Sequence, residues 1–541
     1  MLLSVVLVGL TAAWIIVWGT RRRKGLPPGP PVLPILGNIH LFPKKWPHYQ
    51  FTKWAREYGP IFALQMMHQT IIVLNTPSAI RDVIERKSLS TSNRPESHIA
   101  AMIIPNNENF GMATHLHGNW KTLRRVAMYM LKAENMDKYK ELQYAEAAQL
   151  MYEMMTNPTN FYEDISRFTT SFIMSVLYGH RAPRSSTSEA AEFTKLQLDF
   201  MYVVDLGKAP PVDLFPILKY VPERFAKWKR NALDVKRRQE ALFGRLTDMV
   251  KRRVDAGKGN GSFMEEAYIK RKEWGLESDS LFRNLGGALL EASDTSSALL
   301  QVVILMLVAY PETQKKAQEE IDEVVGPDRP PTFSDLPKLK YMSAVIEETL
   351  RFRPIAPLAL PHAMDKDEII NGMFFPKGAV VFMNLWAVFH DPQYYDEPDR
   401  FIPERFLKHP LGVRPDVQDD PARKENLAFG GGRRVCPGTR TGKASVEINL
   451  ANLLWAFNFT PARNPETGAL EPPDIWNVSE GVNATPMFFR CTVELRSENK
   501  RNIIAKHHLF TSAQFEPYEQ DLTPADKEFV TAEREYLTHN I

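Results

Sequence analysis

No charged side chain interrupts Met1 to Thr20, where the run LLSVVLVGLTAAWIIVW is as long as a bilayer-spanning helix requires. The cluster Arg21, Arg22, Arg23, Lys24 follows it and is expected to stay on the cytosolic side, leaving the body of the chain in the cytosol. A cleaved signal peptide is the alternative, but the basic cluster follows the apolar run and no small-x-small cleavage site is evident. LPPGPP, Leu26 to Pro31, then reads as a stiff extended spacer between anchor and body. Helix-type spacing or composition marks 53–58, 79–87, 120–131, 138–156, 161–178, 230–255 and 312–325, whereas alternating or β-branched stretches at 61–75, 379–384 and 487–495 predict strands. The longest helix is predicted over about Ser280 to Tyr310, stopped by Pro311. Its apolar half, ALLQVVILMLVAY, is too short for a second membrane span and has Glu291 and Asp294 just upstream, so it is expected in the core.

This pattern predicts a mainly α fold with small β-sheets. It divides into an anchor at 1–20, a basic and proline-rich hinge at 21–31, one large domain over 32–496 and a tail at 497–541 of no assigned role, with no linker or repeat inside the domain. Composition adds few constraints. The chain has 541 residues, 67 Lys+Arg and 64 Asp+Glu, so a net charge of +3 spread along it excludes a nucleic-acid partner. Only Cys436 and Cys491 occur, too few for a disulfide framework, which fits a reducing compartment.

The unusual segment is FGGGRRVCPG, Phe429 to Gly438, in which three glycines lead to a cysteine preceded by two arginines and followed by Pro-Gly. Glycines let backbone lie against a flat, bulky ligand. Neighbouring cations are expected to favour the thiolate of Cys436. A lone cysteine is more often a small buried hydrophobe, but the ten-residue pattern points elsewhere.

Phe429, Gly430, Gly432, Arg434, Cys436 and Gly438 fit without a gap the haem-binding loop FxxGxRxCxG, and the chain resembles the cytochromes P-450 over about residues 27–495. The resemblance implies the P-450 fold, haem b (iron protoporphyrin IX) as cofactor, Cys436 as its axial iron ligand and Arg434 as a propionate partner. Thr441 and Gly442 stand where apolar Leu and Ala commonly follow. Glu348 and Arg351 in EETLRFRP lie three apart on one helix face, and Arg405 in PERF is implied to close a buried network with them that holds the fold. LLEASDTSS resembles the oxygen-activation motif AGxDTT, which implies that Asp294 and Thr295 relay protons to dioxygen, with Glu291 and Ala292 departing from the usual residues. Trp120 and Arg124 resemble a WxxxR pair that contacts a propionate, and His362 matches a further propionate donor that acts through charge-assisted hydrogen bonds.

The resemblance implies a monooxygenase that inserts one oxygen atom from O2 into a small hydrophobic substrate. Electrons would come from a separate NADPH-cytochrome P-450 reductase, since no flavin or nicotinamide segment is evident. Arg433, Arg434 and Arg440 could form its docking patch. Membrane lipid would hold residues 1–20, placing the enzyme on the endoplasmic reticulum. The anchor, the cysteine loop and PPVDLFPILKYVPERF at 210–225 resemble fungal microsomal members of polyketide and mycotoxin pathways, implying an aromatic polyketide intermediate as substrate. Alternatives are a haem-thiolate isomerase or dehydratase independent of O2 and NADPH, a lipid or xenobiotic hydroxylase, and a non-enzymatic haem sensor. Pocket-lining stretches are expected at 98–118, 199–215, 285–295, 355–361 and 479–486.

Overall fold

A computed structural model describes residues 22–541 except 206, 419 and 465. The expected membrane anchor, residues 1–20, and Arg21 lie outside the described residues. The proline-rich segment behind them does not stand away from the body as a spacer. Arg22 Nη2 donates to Ala63 O at 2.6 Å and Ala63 N donates to Pro28 O at 2.8 Å, because a chain rich in proline keeps its carbonyls available even where it lacks N–H groups.

In chain order the main elements begin with α1 (Pro47–Tyr58), β1 (Ile61–Met66), β2 (Gln69–Leu74), α2 (Gly118–Met130), α3 (Lys140–Thr156), α4 (Phe161–Tyr178), α5 (Ser188–Val204) and α6 (Lys227–Asp255). They continue through α7 (Asp279–Leu290), α8 (Ser293–Ala309), α9 (Pro311–Val324), α10 (Lys340–Phe352), β3 (His362–Ala363), β4 (Glu368–Ile370), β5 (Met373–Phe375) and β6 (Val380–Met383). The last are α11 (Thr439–Ala456), β7 (Phe457–Arg463), β8 (Leu470–Glu471), β9 (Cys491–Leu495), α12 (Glu498–Thr511) and α13 (Pro524–Asn540). The fold is mainly helical, with small sheets ordered β1-β2-β6-β3, β4-β5 and β8-β7-β9. β2 pairs in parallel with β6, Ile71 opposite Val380, so the sheet joins two segments about three hundred residues apart.

The core is built around α8, which is buried from Ser297 to Val308 and packs against α4, α10, α11 and β7. It is the second half of the one apolar stretch among the described residues long enough to cross a membrane, Asp279–Ala309, and that stretch is mostly buried in the protein. The stretch is not the single helix expected over Ser280 to Tyr310. It breaks at Glu291–Ala292, where the ladder tightens to Ala292 N→Leu289 O. Both residues keep right-handed helical backbone, and side chains add bonds to their carbonyls, Thr295 Oγ1 donating to Ala292 O at 3.0 Å and Gln197 Nε2 to Glu291 O at 3.5 Å.

The 497–541 segment, to which the sequence assigned no role, packs on the body. His508 stacks on Tyr152 of α3, Ile504 and Phe515 are buried, and Arg181 pairs with Glu519 at 2.8 Å. Arg253 of α6 pairs with Asp521, and Arg184 with Asp526 at 2.7 Å.

Candidate functional site

The cysteine loop is set by its glycines and by what lies beneath it. Gly430 (φ +85°) and Gly432 (φ +60°) adopt left-handed backbone, and a Cβ on Gly432 would fall 2.6 Å from Ile84 O, so only glycine lets the loop press on the 81–85 turn. Cys436 N donates to Phe429 O at 2.9 Å and closes the loop. Pro437 and Gly438 then start α11, whose Thr439 hydroxyl donates to Cys436 O at 3.0 Å. A Cβ on Gly438 would lie 3.9 Å from the Cys436 sulfur, so glycine keeps the space beside it open. Arg124 Nη2 donates to Val435 O at 2.5 Å.

The expectation that flanking arginines favour the thiolate needs correction. Cys436 is exposed, yet desolvation by the packing around its sulfur pushes the thiol up, and the Gly438 N–H and Arg124 only oppose this. Arg433 is exposed, and Arg434 points away, its Nε bonded to Ser92 O (2.8 Å), Nη1 to Phe110 O (3.0 Å) and Nη2 to Ala113 O (2.6 Å). Being buried, Arg434 also cannot belong to a surface docking patch, which leaves Arg433 and Arg440 exposed.

Arg434 belongs to a cationic cluster. Its guanidinium lies 4.3 Å over the Trp120 ring, and Trp120 Nε1 shares the Phe110 carbonyl at 3.0 Å. Arg94, which no sequence motif marked, is buried beside them, donating Nε to Gly111 O and Nη1 to Leu360 O and Pro361 O at 2.8–2.9 Å. Burial and repulsion from neighbouring arginines bring Arg94 and Arg434 down to about 9, and burial lowers Arg124. The nearby carboxylate, Asp365, is already bonded to His115 Nε2 at 2.5 Å. Three guanidiniums facing one carboxylate, half of it taken by His115, fit a ligand that brings anions of its own, and the bonds of Arg94 and Arg434 each use three of five N–H donors. The paired propionates of a haem meet that demand.

His362 joins the cluster but not as the cation expected. Its Nδ1 is 2.7 Å from Thr91 O, and burial, then Arg94, with Arg434 also contributing, lowers its pKa to about 3. The ring is neutral, and with Nδ1–H given to Thr91 its Nε2 is an acceptor.

Across from the cysteine loop, Gly442 of α11 lies against α8, a Cβ there falling 3.6 Å from Ser296 Oγ. The position after Thr295 therefore meets the helix that Cys436 introduces, and the departure at Gly442 leaves an ordinary contact. Thr295 is exposed although its neighbours Ser293 and Ser297 are buried, so it borders open space. Burial raises the half-buried Asp294 carboxyl. Glu348, with no exposed surface, takes bonds from Arg351 Nε (2.7 Å), Arg351 Nη2 (2.8 Å), Arg405 Nε (3.2 Å) and Ile402 N (2.8 Å), assembling the expected network.

A cysteine held by a glycine loop just ahead of one core helix, which touches a second core helix beside an acid and an alcohol, is the arrangement of a haem-thiolate oxidoreductase. The chain belongs to the cytochrome P450 family, whose model matches residues 27–480. Fungal proteins are among its relatives: a cytochrome P450 monooxygenase of Armillaria gallica is 41% identical over 93% of this chain and 95% of its own length. Those of Arthrobotrys oligospora (34%, 95% and 97%) and Aspergillus terreus, atE (34%, 90% of each), are similar along nearly their whole lengths. Cytochrome P450 monooxygenases use O2 and a redox-partner reductase.

Proposed function

We propose that this chain inserts one oxygen atom from O2 into a small hydrophobic organic substrate, an aromatic intermediate of fungal secondary metabolism, with Cys436 as axial ligand of haem b. The observation that carries this is the placement of Cys436 beside the open space at Gly438, in the loop that leads into the helix that meets α8 next to Thr295. Bound there, a thiolate-ligated haem supplies the electron donation that favours O–O cleavage.

The protein's own groups do the rest. The Gly438 N–H and Arg124 stabilise negative charge on Sγ against the desolvation imposed by the packing around it. Arg94, Arg124 and Arg434, with Trp120, orient the propionate edge. Asp294, its carboxyl raised by burial, keeps its proton longer than an exposed aspartate and passes it toward Thr295 Oγ1, whose own proton rests on Ala292 O. Glu348, Arg351 and Arg405 hold the fold and take no part in the chemistry. Residues 1–20 anchor the enzyme in the endoplasmic reticulum membrane, facing the cytosol, where an NADPH-cytochrome P-450 reductase supplies electrons.

Full-length enzyme reconstituted with reductase, NADPH and isotopically labelled dioxygen, offered a panel of phenolic and polyketide compounds, tests the reading by mass analysis. One labelled oxygen per product is expected. Turnover without NADPH or O2 would instead establish the isomerase or dehydratase reading, and a product profile confined to lipids would remove the aromatic substrate.

A further inference from the structure

Glu291 stands at the break between α7 and α8, one helical turn before Asp294 and Thr295, so the three share a neighbourhood of the helix surface. Two neutral amides hold its carboxyl, Asn109 Nδ2 at 3.3 Å from Oε2 and Gln239 Nε2 at 3.0 Å from Oε1. Among the described residues no cation pairs with it. Asn109 is fixed in turn, its Oδ1 accepting from Gly111 N at 2.8 Å and Met112 N at 3.2 Å, in the loop whose Phe110 and Ala113 carbonyls hold Arg434. Gln239 comes from α6 and Gln197, bonded to the Glu291 carbonyl, from α5. The carboxyl is therefore where α7, α6, α5 and the 109–113 loop converge, on the same loop that braces the cationic cluster.

A carboxyl group offers about four acceptor positions, and the two amides use two of them. Glu291 is half-buried, and among the described residues no other group takes the remaining positions. Burial raises its pKa to about 7, with the Asn109 bond opposing. A purely structural junction between two amides would be met by glutamine without that cost. The carboxyl thus has acceptor capacity to spare and no counter-ion, one turn from the acid-alcohol pair.

We propose that Glu291 is the substrate-anchoring residue of this enzyme, accepting a hydrogen bond from a hydroxyl group on an aromatic substrate and so fixing which carbon is presented beside Thr295. A hydroxyl suits the site better than an ammonium, because both the ionised and the neutral carboxyl accept from it whereas an ammonium needs the ionised form. This rests on the monooxygenase reading and adds a requirement for the substrate, a free O–H remote from the reacting carbon.

The test uses the haem-loaded full chain and follows the Soret shift on titration with 2-naphthol and with 2-methoxynaphthalene, which has the same ring but no O–H to donate. The parent is expected to bind the naphthol about tenfold more tightly than the ether, the ratio falling below about twofold in Glu291→Leu and to about threefold in Glu291→Gln, whose neutral carbonyl is the weaker acceptor. A ratio near one in the parent overturns the proposal, as does an undiminished ratio in the variants. If the leucine variant does not hold haem, the glutamine variant decides alone. A parent that gives the thiolate-type carbon monoxide spectrum with a ratio near one defeats this proposal only, whereas a parent without that spectrum defeats the monooxygenase reading and this proposal with it.

Discussion

Replacing Glu348 by Gln changes one atom in a fully buried side chain and removes the charge that two buried arginines share. Glu348 Oε1 accepts from Arg351 Nη2, Arg405 Nε and Ile402 N, and Oε2 accepts from Arg351 Nε at 2.7 Å. Whichever way the amide is turned, its NH2 faces a guanidinium donor. Arg351 is 2% exposed and Arg405 8%, so neither can turn to water for compensation. Arg351 also holds the carbonyls of Phe389, Pro398 and Arg400 at 2.8–3.1 Å, so slack there loosens the segment that leads to the cysteine loop. Breaking a buried pair by removing one partner costs about 3–5 kcal/mol, against a total stability of about 5–15 kcal/mol. Denaturant unfolding followed by tryptophan fluorescence, with the haem absorbance read in parallel, measures the loss. Glu397→Gln is the control, since its pair with Arg400 is exposed on both sides and is expected to cost below about 1 kcal/mol. A loss under about 1 kcal/mol in Glu348→Gln would refute the claim that this network holds the fold.

Asp294→Asn is expected to leave ligand binding intact and to slow product formation by about a hundredfold, the scale of a lost general acid, which a comparison of substrate Kd with kcat resolves. Stability should also depend on pH through Glu291. Its folded pKa of about 7 lies above the ordinary carboxylate value of 4.5, so the folded state holds the proton more tightly; stability therefore falls as pH rises from 4.5 to 7 and is level above, by up to about 3 kcal/mol. Glu291→Gln should flatten that slope in parallel denaturant series, and an unchanged slope would assign it to other groups.

Much of this arrangement was legible in the residues themselves. Helix α4 matches its predicted range of 161–178, and β1, β2, β6 and β9 fall within the stretches read as strands, because periodicity and β-branching report local burial directly. The glycine spacing of the cysteine loop foretold the backbone that Gly430 and Gly432 adopt. The break at Glu291–Ala292 was not legible, since its surroundings include a bond from Gln197, ninety-odd residues away, to the Glu291 carbonyl. Arg94 was missed for a similar reason: nothing local distinguishes an arginine whose partners are the carbonyls of Gly111, Leu360 and Pro361. His362 lies beside the cluster, but its neutral state depends on burial and on Arg94 and Arg434 standing next to it, which no local pattern shows. The β4–β5 turn carried a signal that went unread, Asn371-Gly372, both with positive φ, as a two-residue hairpin turn requires.

The most direct measurement is the absorption spectrum of the reduced, carbon monoxide-bound protein in the parent, Cys436→Ser and Cys491→Ser. Thiolate ligation through Cys436 predicts a red-shifted Soret band in the parent and in Cys491→Ser, and none in Cys436→Ser. The same band surviving in Cys436→Ser would contradict the account.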